Sequence, residues 1–228
     1  MDKENSPGIR IGKDGPYIVT GNIELTEQII NSQNNDYRMI PERTFPIKET
    51  YTLCRCGQSQ NTPFCDRSHI NSHFDGTETA SRRPFRERAM ILKGPELILH
   101  DVEEYCSFSR FCHTVKGNAW ELTEDSDNST AREYAIKAAS ECPSGRLVAI
   151  DKQTKEPFEI QYTPSVAVIQ DPQRGVSGPI WVRGGIPVAS SDGEVYEVRN
   201  RVTLCRCGKS KNKPFCDASH VSSRFKSS

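Results

Sequence analysis

The chain has 228 residues, enough for one large or two to three small domains, with only 35% hydrophobic residues and 30 basic against 30 acidic side chains. Zero net charge without a long basic run argues against nucleic acid or a membrane surface as partner. No stretch approaches the roughly eighteen apolar residues of a spanning helix, and the opening Met1-Asp2-Lys3-Glu4-Asn5 is unlike a secretory signal, so a cytoplasmic protein is expected.

Taken in order, residues 1–7 are polar, and Ile9–Ile11 and Tyr17–Val19 read as strands around the Lys13-Asp14-Gly15-Pro16 turn. Residues 26–48, rich in Asn, Gln and Glu, read as an exposed arm or loop. Residues 75–88 carry Arg82, Arg83, Arg86 and Arg88 and read as a solvated linker. Leu97–Leu99 is a predicted strand. Thr130-Ala131-Arg132-Glu133 resembles a capping box that opens a helix with Ala131, Tyr134, Ala135, Ala138 and Cys142 on one face, stopped by Pro143. Arg146–Ile150, Phe158–Tyr162 and Val166–Ile169 read as further strands, and Asp192-Gly193 as a tight hairpin.

Cys54 to His69 reads Cys-Arg-Cys-Gly-Gln-Ser-Gln-Asn-Thr-Pro-Phe-Cys-Asp-Arg-Ser-His and returns as Cys205 to His220, with twelve of sixteen positions identical. The repeat extends further, because Gly15–Ile23 echoes Gly178–Ile186, Tyr51–Leu53 echoes Val202–Leu204, and His69–Phe74 echoes His220–Phe225. Both loops have the form C-x-C-x8-C-x3-H. Cys54 and Cys56, two apart on extended chain, reach one centre together, while Cys65 and His69, four apart, meet if a helical turn begins at the third cysteine. Asp66 is placed to accept amide hydrogens of that turn, Pro63 sets the backbone before it, and Gly57 allows a tight departure. Cys205, Cys207, Cys216 and His220 repeat the arrangement, with Asp217, Pro214 and Gly208 in support. Three thiolates and one imidazole suit a single zinc or a [2Fe-2S] cluster, and spacing leaves both open.

The nine cysteines are an odd number, which argues for thiolate ligation in a reducing compartment over a closed disulfide set. Nine is also three sets of three. The third set is Cys106, Cys112 and Cys142-Pro143: the first, third and last positions of the ferredoxin pattern, with Ser109 standing at the second. One missing thiolate corner suits a three-iron cluster. His73 faces Arg224 in the other repeat and is not expected to be a ligand, and His100 and His113 read as surface residues or neighbours of the site.

Both ligand loops resemble the CDGSH iron–sulfur motif, here Cys-Arg-Cys-Gly-x-Ser-x-Asn-x-Pro-Phe-Cys-Asp-x-Ser-His. The resemblance implies one [2Fe-2S] cluster on Cys54, Cys56, Cys65 and His69 and another on Cys205, Cys207, Cys216 and His220. The family's glycine after the aspartate is Arg67 in one copy and Ala218 in the other, so a positive φ is not expected there. Residues 95 to 152 resemble single-cluster ferredoxins with C-x5-C and Cys-Pro-Ser-Gly. This implies a [3Fe-4S] cluster on Cys106, Cys112 and Cys142, or a [4Fe-4S] form with Ser109, His113 or water as fourth ligand.

The expected architecture is α+β, with CDGSH repeats at 8–74 and 165–228 in pseudo-two-fold relation, a linker at 75–94 and a ferredoxin-like domain at 95–164. CDGSH proteins with one motif are two-fold dimers, so here the repeats are expected to pair within a monomer. The expected function is non-enzymatic: a multi-cluster electron carrier serving a redox partner protein, such as a reductase or oxidoreductase. The alternatives are a [2Fe-2S] or iron donor to an apo iron–sulfur acceptor, through labile His69 or His220 ligation, and a structural zinc module. The first loop sums to +1 (Arg55, Arg67, Asp66) and the second to +3 (Arg206, Lys209, Lys211, Lys213, Asp217), from which a higher potential is expected at the C-terminal centre.

Overall fold

A computed structural model describes residues 6–34 and 36–227. The N-terminal part forms β1 (Gly8–Ile11), β2 (Tyr17–Thr20), β3 (Glu24–Gln33), β4 (Asp36–Thr44), β5 (Thr50–Leu53) and the short helix α1 (Ser68–Asn71). Next come α2 (Phe85–Arg88), β6 (Met90–Lys93), β7 (Leu97–Asp101), β8 (His113–Thr114), β9 (Gly117–Asn118), α3 (Ala119–Glu124), α4 (Ser129–Ser140) and β10 (Leu147–Asp151). The chain closes with β11 (Ser165–Asp171), β12 (Val176–Arg183), β13 (Val188–Ala189), β14 (Arg201–Leu204) and α5 (Ser219–Ser222). The fold is α+β, as expected.

Pairing of the strands makes the pseudo-two-fold relation explicit. One sheet runs β13-β1-β2-β5 and another β14-β12-β11-β3-β4. Within each repeat the strand before the ligand loop pairs antiparallel with its hairpin partner, Leu53 opposite Tyr17 and Leu204 opposite Ile180. The next strand then crosses over: β3 pairs in parallel with β11 of the second repeat, and β13 in parallel with β1 of the first. Each sheet therefore borrows a strand from the other repeat. Val166, Val168, Ile180 and Val182 are buried because their sheet is covered on both faces, so β11 and β12 read as continuous apolar runs, without alternation.

This exchange corrects the reading of residues 26–48 as an exposed arm. They form the β3–β4 hairpin, in which Leu25, Thr26, Gln28 and Ile30 are buried; β4 is the exposed edge. The polar composition misled because β3 buries Thr26 and Gln28, which bond each other at 3.3 Å. Residues 75–88 contain α2, whose Phe85 is buried, and Thr79 and Ala80 both donate their amides to Lys213 O at 2.9 Å. Residues 158–162 do not form a strand; Phe158 N bonds Ala149 O and only Pro157 makes a β-bridge.

In the central part, β10-β7-β6 form an antiparallel sheet. Leu99, Leu147 and Ala149 of that sheet pack with Ala119, Ala138 and Ala139 of α3 and α4. The N-cap of α4 is Asn128, not Thr130: its Oδ1 accepts from the amides of Thr130 and Ala131. An Asn side chain reaches the N2 and N3 amides as well as Thr does, so the capping-box pattern pointed two residues too late. The other face of the central sheet joins the main core, where Val148, Ile150 and Tyr105 lie with Val182, Leu204 and Phe215.

Candidate metal centres

Each C-x-C pair leaves the end of a strand, and the third cysteine returns beside it. Cys54 N donates to Pro63 O at 2.8 Å and Cys65 N to Thr52 O at 3.0 Å; Cys205 N to Pro214 O and Cys216 N to Thr203 O match at 2.8 and 2.9 Å. The Thr62–Pro63 and Lys213–Pro214 peptides are cis. Ser59 Oγ donates to Phe64 O and Ser210 Oγ to Phe215 O, each at 2.7 Å, bracing the two loops identically. Asp66 accepts from Gln60 N and Ser68 N at 2.8 and 2.9 Å, and Asp217 from Lys211 N and Ser219 N at 2.7 and 3.0 Å. The amide hydrogen bonds expected of the aspartates are thus present, although the helical turn starts at Ser68 and Ser219, three residues after the cysteine.

Arg67 and Ala218 correct a second expectation, because both are left-handed, with φ of 72° and 68°. This conformation costs a non-glycine residue about 1–2 kcal/mol. It turns the amide of each toward the ligand sulfur, Arg67 N to Cys65 Sγ and Ala218 N to Cys216 Sγ, both at 3.4 Å.

The donor atoms fall into pairs. Cys54 Sγ and Cys56 Sγ are 3.7 Å apart, as are Cys205 Sγ and Cys207 Sγ. Cys65 Sγ lies 3.4 Å from His69 Nδ1, and Cys216 Sγ 3.4 Å from His220 Nδ1. A tetrahedral metal with bonds of about 2.3 Å to sulfur and about 2.0 Å to nitrogen has edges of about 3.8 Å (S–S) and about 3.5 Å (S–N). Each pair would therefore fit one edge of a metal's tetrahedron. The four donors of each loop thus stand as one sulfur–sulfur and one sulfur–nitrogen pair.

The electrostatics favour ligation. Sharing a proton with Cys56 and accepting the amides of Ser59, Gly57 and Cys56 bring Cys54 down to about 6, against burial; Cys207 and equivalent amides bring Cys205 to about 7. The second thiol of each pair is pushed up by its ionised neighbour and by burial, so a metal must displace that proton. Burial, then the Arg206 charge, lowers His220 to about 4, which keeps its ring neutral as a ligand requires. The two sites differ in cover. Cys65 and His69 are half-buried, whereas Cys216 and His220 are buried.

The loops abut across the pseudo-two-fold. A Cβ on Gly57 would lie 2.7 Å from Cys207 O, and one on Gly208 2.4 Å from Cys56 O. Tyr17 crosses over too, donating its hydroxyl to Cys205 O at 2.7 Å.

Cys106, Cys112 and Cys142 form the third group, all half-buried. Burial and the charges of Cys142 and Cys106 push Cys112 up to about 12, so the three thiols share one environment. Arg146 makes a bidentate pair with Asp101 at 2.6 and 2.9 Å. Of the candidate fourth ligands, Ser109 Oγ is hydrogen-bonded to Ser107 Oγ at 2.8 Å and His113 is exposed. Ser144, which sequence reasoning missed, places its hydroxyl 3.5 Å from Cys142 Sγ. Arg201 was also missed. Buried on β14, it donates to Cys142 O at 2.7 Å and Ala139 O at 2.8 Å and pairs with Glu159, tying the end of α4 to the strand that leads into Cys205. No spacing pattern marks such a residue; only its partners do.

All nine cysteines are unpaired. The fold and sites thus define a protein with three groups of free cysteines, two of them related by an internal repeat. A family profile described as iron-binding zinc finger, CDGSH type, matches residues 14–70 and 177–221, and one described as divergent 4Fe-4S mono-cluster matches residues 92–152. The chain is an iron–sulfur protein in which two CDGSH regions flank a divergent mono-cluster ferredoxin domain. Comparison with curated proteins and with solved structures returned no match. Among the described residues no helix is long and apolar enough to cross a membrane.

Proposed function

We propose that this protein is a non-enzymatic electron carrier with two [2Fe-2S] clusters, on Cys54, Cys56, Cys65 and His69 and on Cys205, Cys207, Cys216 and His220, and a third cluster on Cys106, Cys112 and Cys142. The observation that carries this reading is the match of both donor loops to the CDGSH-type profile, with each set of four donors gathered in pairs 3.7 and 3.4 Å apart. Bound clusters supply reversible one-electron chemistry. The chain's own residues do the rest. Amides of Arg67 and Ala218 point at sulfur, which favours the reduced state, and each imidazole ligates through Nδ1, leaving Nε2 for a proton. With Ser109 held by Ser107 and His113 exposed, three thiolates favour a [3Fe-4S] centre; a [4Fe-4S] centre needs a ligand from outside this set. We place the protein in the cytoplasm as a monomer serving a redox partner protein, a reading supported by nine unpaired cysteines and the internal pairing of the repeats.

A second reading, donation of a cluster to an apo iron–sulfur acceptor, is favoured by the half-exposure of His69. Iron and acid-labile sulfide analysis with electron paramagnetic resonance tests the first proposal: red-brown protein with inorganic sulfide is expected, and colourless protein holding zinc without sulfide overturns it. Incubation with apo-ferredoxin separates carrier from donor, since rapid handover from the His69 site supports donation.

A further inference from the structure

We infer that the three ligand sets stand in a row with the C-terminal set in the middle, and that the contact between Tyr105 and Phe215 joins the central set to it. This inference rests on the cluster reading above. Tyr105 immediately precedes Cys106 and Phe215 immediately precedes Cys216, and their rings meet edge to face with centroids 4.9 Å apart. Both side chains are buried, and Tyr196 and Phe85 close the flanks at 5.2 and 6.5 Å, so the path between the two ligands is dry. Two polar ties hold the same junction. Asn212 Nδ2 donates to Glu104 O at 2.9 Å, and Arg201 reaches from β14 to Cys142 O at 2.7 Å.

The first repeat lacks this junction. Phe64, which precedes Cys65, packs instead on Phe45 and Tyr51 of its own repeat. The N-terminal set joins the row from the other side, where Gly57 lies against Cys207 and Gly208 against Cys56. Arg206, between Cys205 and Cys207 in the chain, is buried and donates to Gly178 O at 2.8 Å and Ile169 O at 3.0 Å.

The consequence is a fixed order of exchange. With clusters bound, Cys106, Cys112 and Cys142 would hold the donor and Cys205, Cys207, Cys216 and His220 the acceptor of one electron; the donor would lose one negative charge, the acceptor would gain it, and no covalent bond would form or break. Electrons pass between the central and N-terminal sets only through the C-terminal one. That position fits its burial, since a middle station needs no partner surface, whereas the half-exposed His69 site faces outward.

Electron paramagnetic resonance on the reconstituted full chain tests this, with the central centre in its paramagnetic state. Its signal is expected to broaden when the C-terminal centre becomes paramagnetic. His220→Cys lowers that centre's potential and shifts the onset of broadening to lower potential, while His69→Cys leaves the onset in place. If His220→Cys fails to hold its centre, the broadening is lost, which supports the same order. Tyr105→Leu is expected to weaken the broadening and Tyr105→Phe to retain it; equal broadening in the two removes the ring contact from the proposal. Onset that follows His69→Cys, or an unbroadened central signal while iron and sulfide analysis finds all three sites filled, overturns the row. Absence of inorganic sulfide overturns the cluster reading instead.

Discussion

Replacing Gly208 with alanine probes the seam between the two ligand loops. Gly208 has φ of 76°, and a Cβ there would lie 2.4 Å from Cys56 O, a backbone atom with no rotamer to escape into. Gly175 is the matched control, with φ of 64° and nothing within 4 Å of its would-be Cβ. The left-handed backbone costs alanine about 1–2 kcal/mol, and the stiffer unfolded chain returns about 0.4–1 kcal/mol. Gly175→Ala is therefore expected to cost about 0–1.6 kcal/mol. Gly208→Ala bears the same cost and must also open the seam from 2.4 Å to an ordinary contact of 3.4 Å or more; overpacking of this kind adds about 1–3 kcal/mol. At roughly 2–4 °C per kcal/mol for a chain of this size, the extra drop in Tm is about 2–12 °C. Thermal melts followed by circular dichroism and by visible absorption measure it. The same Tm for Gly208→Ala and Gly175→Ala refutes the close approach of the loops.

The potentials of the two histidine-ligated sites are expected to run opposite to their loop charges. The surplus Lys209 and Lys211 are exposed, and a screened charge about 10 Å away contributes well under 1 kcal/mol, whereas removing water from an added negative charge costs several. Arg55 and Arg206 are buried in both loops and nearly cancel. The half-buried His69 site is therefore expected at the higher potential, and a redox titration of His69→Cys and His220→Cys that assigns the higher wave to the C-terminal site refutes this. Tyr17→Phe removes the hydroxyl that bonds Cys205 O and Pro214 O; a loss of about 1–2 kcal/mol is expected in urea unfolding, with cluster loss from the C-terminal site first. His100 has its pKa lowered, by burial and then by Arg86, and its Nδ1 is buried without a partner. The unfolded chain then binds a proton that the folded chain refuses, so stability is present above the ordinary histidine pKa of about 6.5 and falls as pH drops from there toward the depressed value. His100→Asn is expected to flatten that part of the pH–stability curve, and an unchanged slope counts against the assignment.

Much of the site is local chemistry and was legible in the chain. Spacing determines which donors are neighbours, because residues two apart on extended chain and four apart across a turn meet whatever surrounds them. The twofold return of sixteen residues likewise announced two like centres, and Cys-Pro after a helical pattern marked the third. Tertiary structure decided what depends on contacts between distant segments. The β3–β4 hairpin is ordered because β11 offers a free strand edge, so polar residues were carried into a sheet that their composition did not suggest. Arg67 and Ala218 adopt φ above zero because a sulfur acceptor waits for their amides, a reward that no propensity scale records. Near-identical ligand loops end with unequal burial, and only one meets the central cysteines, because Phe215 finds Tyr105 where Phe64 finds Phe45. Spacing nominates the donors; the packing of residues that hold no metal sets how deeply each donor set is buried.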